Sequence, residues 1–579
     1  MTVVGTATPA VELEATLLAQ VSGVVAALLI LAFQAAFLPF ALPFLEATGT
    51  ARGFIYPLYA AAVAGSLWAW LAQPDLRSRT GPLLVAGALL LAPLLLHPPG
   101  PVSRSYLVTL VLGLALVLLA LSSSLRTAAR LGAAVTALGA ALCLLDILVE
   151  GSGFTNTAGR AAGLAINPND AGTALVLGAV ATCRSLPARW QASFVIFVGG
   201  GILATQSRSM ILIAVLTGLA MLIVSRRERR TLPPAVGGRT GKVPAAATAL
   251  VVVALLASAY AVNGSFRVAT GTSVAPPAPI VTVGEPPWAA GREAGREAAL
   301  AALDRRLVTE GHRSSLSARW LFLQRGLLVY AGTPFFGIGL EEAHRLAPHN
   351  GFLMFGLAFG HFGWLVPLAV LAVILLSGGW RGVPLAVAVL AVSLTSHSLL
   401  VMPGLFVPVA LGIAVFLGGG APPGAARIRS AMAATVIAGA VAFAAACLAT
   451  ALLPARVAEI ELMPQYIQGG PKGYRITLRP PALPGVLRIG GAADGYALVG
   501  GGARFAWVDE APVAPGQFTV RDDKVLLFLP ADGSDPVWNG VDYRLAVPLS
   551  VGQPFIPLVV LVLAWGAIVA FALGRKPAA

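Results

Sequence analysis

Apolar residues run through this chain in long blocks, and polar residues are confined to the intervals between them. Many blocks approach the roughly 17–25 residues that cross a hydrocarbon core of about 30 Å as an α-helix. Read in order, they give fourteen spans, at 16–38, 53–72, 82–97, 105–122, 131–149, 169–183, 190–205, 208–225, 244–262, 350–377, 383–402, 404–418, 431–453 and 554–573. The blocks at 82–97 and 169–183 are short enough for partial re-entry or local adjustment of the bilayer. Backbone groups in lipid must find hydrogen bonds within their own segment, so the pattern predicts an α-helical bundle.

Two intervals are too long to be simple turns. The first, 263–348, separates the ninth and tenth spans. It opens on Pro- and Gly-rich sequence from Ala275 to Pro287, then reads as a charged helix from Arg292 to Leu307. A second helix, Leu316 to Tyr330, is amphipathic and suited to lie in the membrane interface. The run Thr333-Pro334-Phe335-Phe336-Gly337-Ile338-Gly339 is a turn whose glycines allow positive φ. The second interval, 454–552, alternates short β-type runs with Gly, Pro and Asp-Gly turns. Glu459 to Leu462, Tyr474 to Leu478, Phe518 to Val520 and Val525 to Leu529 predict a small antiparallel sandwich.

The fold class is therefore an all-α polytopic membrane protein of about twelve core spans plus two more. It carries a large periplasmic loop and a small appended extracytoplasmic β-sandwich-like domain. The expected organisation is a membrane domain over 1–420 with its loop at 263–348, a further span in 421–453, a β-rich domain over 454–552, and a closing span and tail over 553–579.

Composition agrees with this and adds an orientation. The chain is 57% hydrophobic and only 11% charged, with a mean hydropathy of +0.83. With the N-terminus in the cytoplasm, inner loops and tail hold seventeen Lys and Arg residues, including Arg77, Arg79, Arg226, Arg227 and Arg381. The short outer loops hold four: Arg52, Arg104, Arg160 and Arg208. That is the positive-inside asymmetry. The net charge of +14 is then membrane topology, and dispersal of the basic residues argues against nucleic acid as a partner. Cys143, Cys183 and Cys447 fall in or beside apolar blocks and imply no disulfide framework. The first block has no basic n-region or small-residue cleavage site and reads as an anchor.

Few residues are placed to do chemistry. His349 ends the long outer loop, where an imidazole that titrates near 6.5 can accept and return a proton. Asn350 is suited to cap the following helix, whose positive dipole end would face the same spot. The competing reading is an interfacial histidine that only solvates a helix end. Arg160 sits among small residues ahead of Asn167-Pro168-Asn169-Asp170, a helix start with good capping residues. Arg208 is the one charge in the tight outer turn between the seventh and eighth spans, and Arg319 precedes Trp320 on the amphipathic helix. Arginine suits phosphate because its planar fork donates two parallel charge-assisted hydrogen bonds. Snorkelling to lipid headgroups or a solvated helix face would equally place these arginines. Glu150, Glu341 and Glu342 read as scattered, solvated acids. No Gly-x-x-x-x-Gly-Lys-Ser/Thr loop and no Gly-x-Ser-x-Gly elbow occurs, which disfavours ATP-driven transport and lipase-type hydrolysis. The outer loops of the first twelve spans have no acidic or histidine cluster with metal-site spacing, so no metal or other cofactor is expected.

Four stretches together resemble the O-antigen ligase and polymerase family of bacterial membrane glycosyltransferases. They are GRAAGLAINPND (Gly159 to Asp170), TQSRSMILIAVLTG (Thr205 to Gly218), SARWLFLQRGLLVYAGTPFFGIG (Ser317 to Gly339) and APHNGFLMFGLAFGHFGWL (Ala347 to Leu365). The family's loop Arg, Pro-x-x-Gly-x-Gly turn and His-Asn pair correspond in order to Arg319, Pro334, Gly337, Gly339, His349 and Asn350. The resemblance implies a twelve-helix bundle roofed by the long loop, in the bacterial inner membrane, with a periplasmic site. It implies a glycan on undecaprenyl pyrophosphate as donor, and lipid A–core or a growing polysaccharide as acceptor. His349 would be the catalytic base, Arg160, Arg208 and Arg319 would bind pyrophosphate, and Asn169, Asn350, Gly337 and Gly339 would support them. Membrane lipids and other polysaccharide assembly proteins are the further partners implied. Two departures stand out. Leu323 replaces a tryptophan often found a turn after the loop Arg, with Trp320 displaced, and the β-rich segment and last two spans lie outside the usual pattern. The rival from another class is a flippase or transporter of lipid-linked sugars, which calls for internal repeats and charges near the bilayer midplane. No convincing repeat is visible, and most outlying charges sit at the outer ends of spans.

Overall fold

The first apolar block folds as one helical stretch long enough to cross a membrane, Leu13–Gln34, and ends short of the expected residue 38. Helix α1 (Pro9–Leu29) runs into a π-turn, Ile30–Gln34, and the chain breaks at Ala36, whose φ of 58° lies in the left-handed region. A short helix α2 (Phe37–Ala47) follows. The computed structural model describes residues 9–574 apart from 35, 98, 149–153, 155–159, 232–314, 419–424, 453–456, 463–466, 471–472, 479–485, 491–494, 510–511, 522–524, 538 and 553. The expected span at 244–262, the loop to 314 with its charged helix, and Glu150 lie outside the described residues.

The remaining helices are α3 (Ala51–Ala72), α4 (Pro74–Leu91), α5 (Pro101–Ser122), α6 (Leu125–Leu148), α7 (Pro168–Thr182), α8 (Ala188–Ala204) and α9 (Arg208–Thr231). They continue as α10 (Ser315–Ala331), α11 (Leu340–Arg345), α12 (Gly351–Phe359), α13 (Leu365–Gly378), α14 (Val383–Thr395), α15 (Pro403–Leu417), α16 (Ala425–Ala451) and α17 (Phe555–Gly574). Pro74 occupies the first turn of α4, where its missing N–H costs nothing, so Arg77 and Arg79 lie on the helix instead of in a loop. Among the described residues nine helical stretches are long and apolar enough to cross a membrane, and Ala188–Ala204 and Pro403–Leu417 are shorter apolar helices. The chain is a mostly helical, multi-pass membrane protein.

Within the span expected at 350–377 the helix is interrupted, for a local reason. The stretch Gly351–Thr395 holds α12, α13 and α14, separated by 3₁₀ turns at Gly360–Trp364 and Gly379–Gly382. Gly360, with φ of 65°, breaks the expected span at 350–377, which hydropathy alone does not register, whereas Gly379, with φ of 52°, falls between the spans expected at 350–377 and 383–402.

Helices α5 and α15 pack along the middle of the bundle, flanked by α1, α3 and α7. Several polar groups within it are paired: Tyr106 donates to the Leu90 carbonyl at 2.8 Å, and Gln34 Nε2 donates to Gly132 O and Thr136 Oγ1 at 2.9 and 2.8 Å, while Gln34 Oε1 is buried without a partner among the described residues. At the C-terminal end of α9, Glu228 Oε1 accepts from Arg184 and Arg381 at 3.2 and 2.9 Å, tying three connections together. The three cysteines are buried and unbridged.

The region after α16 folds as two five-stranded sheets. One orders β1 (Val457–Leu462), β10 (Tyr543–Val551), β5 (Ala497–Gly500) and β6 (Ala503–Arg504), with β4 (Leu487–Ile489) also on β10. The other orders β2 (Gln468–Gly470), β3 (Gly473–Thr477), β9 (Val525–Leu529), β8 (Gln517–Arg521) and β7 (Ala506–Trp507). Every pairing is antiparallel except β7 with β8, which is parallel and departs from the purely antiparallel expectation. Leu498, Phe518, Phe528 and Leu545 fill the space between them. Helix α17 then packs along α16, and Trp565 Nε1 donates to the Ala134 carbonyl of α6 at 2.9 Å.

The turn 333–339 fixes the loop that carries the candidate base. Gly337 and Gly339 have φ of 85° and 86°. Their turn docks on the end of α12, with Ile338 N on Leu357 O at 2.8 Å and Gly339 N on Ala358 O at 2.9 Å. A Cβ on Gly337 would lie 2.3 Å from the Ala358 carbonyl oxygen. Gly337→Ala should therefore lower stability by at least the ~1–3 kcal/mol of a strained φ, read as a fall in the thermal unfolding midpoint of detergent-solubilised protein. An unchanged midpoint would mean that the turn does not hold this loop.

Candidate functional site

Two loops meet at the end of the bundle where α7 and α9 begin. Asn167 caps α7, its side chain accepting from Asn169 N at 2.9 Å. That leaves the Asn169 side chain to face the preceding loop, where its Oδ1 accepts from Arg160 Nη2 at 3.2 Å and from Ser207 Oγ at 2.8 Å. Arg160 Nε donates to the Thr205 carbonyl at 3.0 Å, and Ala161 N donates to Ala204 O at 3.0 Å. Beneath them the buried Asp146, at the end of α6, accepts from Ala162 N and Gly163 N at 2.7 and 3.2 Å. The Arg160 guanidinium is thus held by the Thr205 carbonyl on one side and by Asn169 on the other. Arg208 is exposed and opens α9, one residue beyond Ser207.

A third loop brings in the imidazole. Helix α11 ends at Arg345, and Ala347 and His349 both adopt left-handed φ, 45° and 50°, on either side of Pro348. Non-glycine residues rarely take this conformation, and surrounding contacts must enforce it. Those contacts are visible. Asn350 caps α12, its Oδ1 accepting from Leu353 N at 2.9 Å, while its Nδ2 donates to the Leu394 carbonyl at the end of α14 at 3.2 Å. The His349 ring packs edge-on against Phe322 of α10 and against His397, each at 5.5 Å between centroids.

Arg319 of α10 connects the two groups. Burial lowers its pKa and that of Arg160, and the Arg319 charge presses Arg160 down further. The same guanidinium acts on His349, whose pKa is pushed down to about 4, first by burial and then by Arg319. The imidazole is therefore neutral well below the ordinary histidine range near 6.5, a correction to the unperturbed value expected from sequence. Among the described residues neither Arg160 nor Arg319 pairs with a carboxylate. Two partly desolvated cations, mutually repelled and lacking a counter-charge, make a site that an anion would stabilise.

Residues 192–368 match the sequence profile of Wzy_C, described as O-Antigen ligase. That match supports an O-antigen ligase/polymerase assignment for the part of the chain it spans. No curated protein matches the chain. The O-antigen ligase match spans Arg208, Arg319, Gly337, Gly339, His349 and Asn350, whereas Arg160, Asn169 and the two sheets fall outside it. The family is that of a membrane glycosyltransferase-like enzyme acting on lipid-linked glycan and polysaccharide.

Sequence reasoning missed several neighbours of these residues. Glu341, read as a solvated acid, accepts from Val102 N and Ser103 N in the first turn of α5 at 3.1 and 2.9 Å. His344 and His397 stack edge-on at 5.0 Å, behind His349. The clue to His397 was a lone histidine in Thr395-Ser396-His397-Ser398 closing an apolar block. Among the described residues no three His, Cys, Asp or Glu side chains converge as ligands for a metal ion. A cavity of about 170 Å³ lies next to the loops, lined by residues including Gln34, Ala162, Asp170, Val401 and Met402.

Burial pushes the His397 pKa down to about 3, helped by His344 and His349, and lowers His344, which Glu341 partly offsets. Each folded value lies below the unfolded value near 6.5, so as pH falls through this window the unfolded chain binds more protons. Stability should be level above about pH 6.5 and drop as pH falls from there towards the folded values of about 4 and about 3. Thermal unfolding midpoints across that range check this; a flat profile would exclude buried neutral imidazoles.

Proposed function

We propose that this protein is an inverting, metal-independent glycosyltransferase that moves a glycan from undecaprenyl pyrophosphate to a sugar hydroxyl on the periplasmic face of the inner membrane. The reading rests on Arg160 held by Asn169 and the Thr205 carbonyl without a carboxylate partner among the described residues, and on Arg319, whose charge lowers the pKa of both Arg160 and His349. With the N-terminus in the cytoplasm, as the loop charges favour, this site faces the periplasm.

The acceptor oxygen attacks the anomeric carbon as His349 takes its proton, and the bond from that carbon to the pyrophosphate breaks. The electron pair leaves with the lipid pyrophosphate, whose growing charge is met by Arg160, Arg319 and Arg208. A single displacement inverts the anomeric centre. Asn350 and Asn169 hold the base and the Arg160 loop in place, and Gly337 and Gly339 shape the turn that docks the base's loop. The domains expected at 1–420, 421–453, 454–552 and 553–579 divide this into a transferase core and an appended β-rich unit.

The test is the lipid and glycan profile of a deletion strain. Accumulated lipid-linked polymer identifies a ligase acting on lipid A–core or a comparable acceptor, and accumulated lipid-linked single repeat units identify a polymerase. Units trapped on the inner leaflet would overturn transfer in favour of transport.

A further inference from the structure

Two of the imidazoles near the site have no role in the transfer described above. His397 follows α14 and stands between the other two histidines, 5.5 Å from His349 and 5.0 Å from His344, with both ring pairs at 66°. Nδ1 of His397 and Nδ1 of His344 are both buried without a hydrogen-bond partner. An unpaired buried nitrogen is costly, and two in contacting rings mark a network that another state completes. No hydrogen bond joins these rings as they stand edge to face, and at these separations a turn of the rings would bring facing nitrogens within hydrogen-bond reach. The groups around the row are Arg319 beside His349 at one end and Glu341 beside His344 at the other. Glu341 is itself fixed by two backbone N–H groups of α5.

We propose that His397 and His344 form a proton relay behind His349, carrying the acceptor's proton away from the arginines towards Glu341. This rests on His349 being the base. The acceptor O–H bond breaks as an N–H bond forms on one nitrogen of His349, and the proton on its other nitrogen passes to His397. His397 in turn gives the proton on its far nitrogen to His344. His344, half-buried on the short helix α11, releases a proton to water. Each ring finishes as the opposite tautomer, and no other reactant is consumed. The relay answers a difficulty at the site: a proton held on His349 would sit in a desolvated pocket beside a guanidinium. Moving it along the row places the positive charge nearer a carboxylate.

His397 and His344 would then be positioning and relay residues, tested by readouts that a packing role would not move. The assay uses protein reconstituted in vesicles, supplied with lipid-linked glycan extracted from a deletion strain and with its native acceptor. His397→Gln and His344→Gln should each lower kcat by on the order of 10–100-fold, with donor KM and thermal midpoint little changed. The rate of wild-type protein across H₂O–D₂O mixtures should curve, as several protons move together, and straighten in His397→Gln. A linear dependence in the wild type overturns the relay even if the variants fail to fold. So does a loss in His397→Gln that follows KM and thermal midpoint alone. If His349→Ala keeps the wild-type rate, the base assignment itself fails. If that variant loses activity while His397→Gln is normal in rate and isotope response, only the relay fails.

Discussion

His349→Ala lowers glycan transfer by about 10²–10⁴-fold, the usual contribution of a positioned general base, while donor binding is largely retained. The argument is geometric first. The imidazole is locked by a left-handed backbone, by Phe322 and His397 against its ring, and by the adjacent Asn350 bridging α12 to α14. Removing it leaves the arginines in place, so the loss should fall on kcat. The pH profile gives a second check. With its pKa pushed down to about 4, His349 is ready to accept a proton throughout the neutral range. The acid limb of kcat/KM in wild-type protein should accordingly fall near pH 4, not near the ordinary histidine value of about 6.5. A variant that transfers glycan at the wild-type rate in purified vesicles would end the assignment.

Arg319→Ala should cost on the order of 10²–10³ in rate, the scale for losing one preorganised donor to a developing negative charge. It is the better probe than Arg160, which also holds its own loop through Thr205 and Asn169. Arg319 also has a signature of its own. Its positive charge helps to hold the His349 pKa down, so removing it raises that pKa and moves the acid limb to higher pH. Arg319→Lys should keep the acid limb and still lose rate, because an ammonium retains the charge without the bidentate fork. A loss under about tenfold with an unmoved limb would reduce Arg319 to an interfacial anchor.

Much of this site could be read from the chain because it depends on local signals. Asn350 following a proline-containing loop is a capping signal, and the cap is formed. The glycines of the 333–339 turn predicted positive φ, and Gly337 and Gly339 have it. The four β-type runs became β1, β3, β8 and β9 because alternation and turn residues are local properties. What the chain concealed depends on distant contacts. His397 reaches His349 only because Asn350 bonds to the end of α14, and no local pattern encodes that bridge. Glu341 looked solvated because its partners are backbone amides of α5, far away in sequence. The depressed His349 pKa arises from packing and from Arg319, neither of which a motif reveals. The breaks at Ala36 and Gly360 were hidden because they are backbone events inside apolar sequence.

The paired left-handed residues around Pro348 bear on how the reaction begins. The twisted backbone fixes where the ring is attached, and Phe322 and His397 packed against it limit how far the ring can turn. If His349 is the base, as proposed, its ring is placed before any sugar arrives, and the incoming chains would do the adapting. An enzyme arranged this way would choose its acceptor by which hydroxyl can come to a stationary ring.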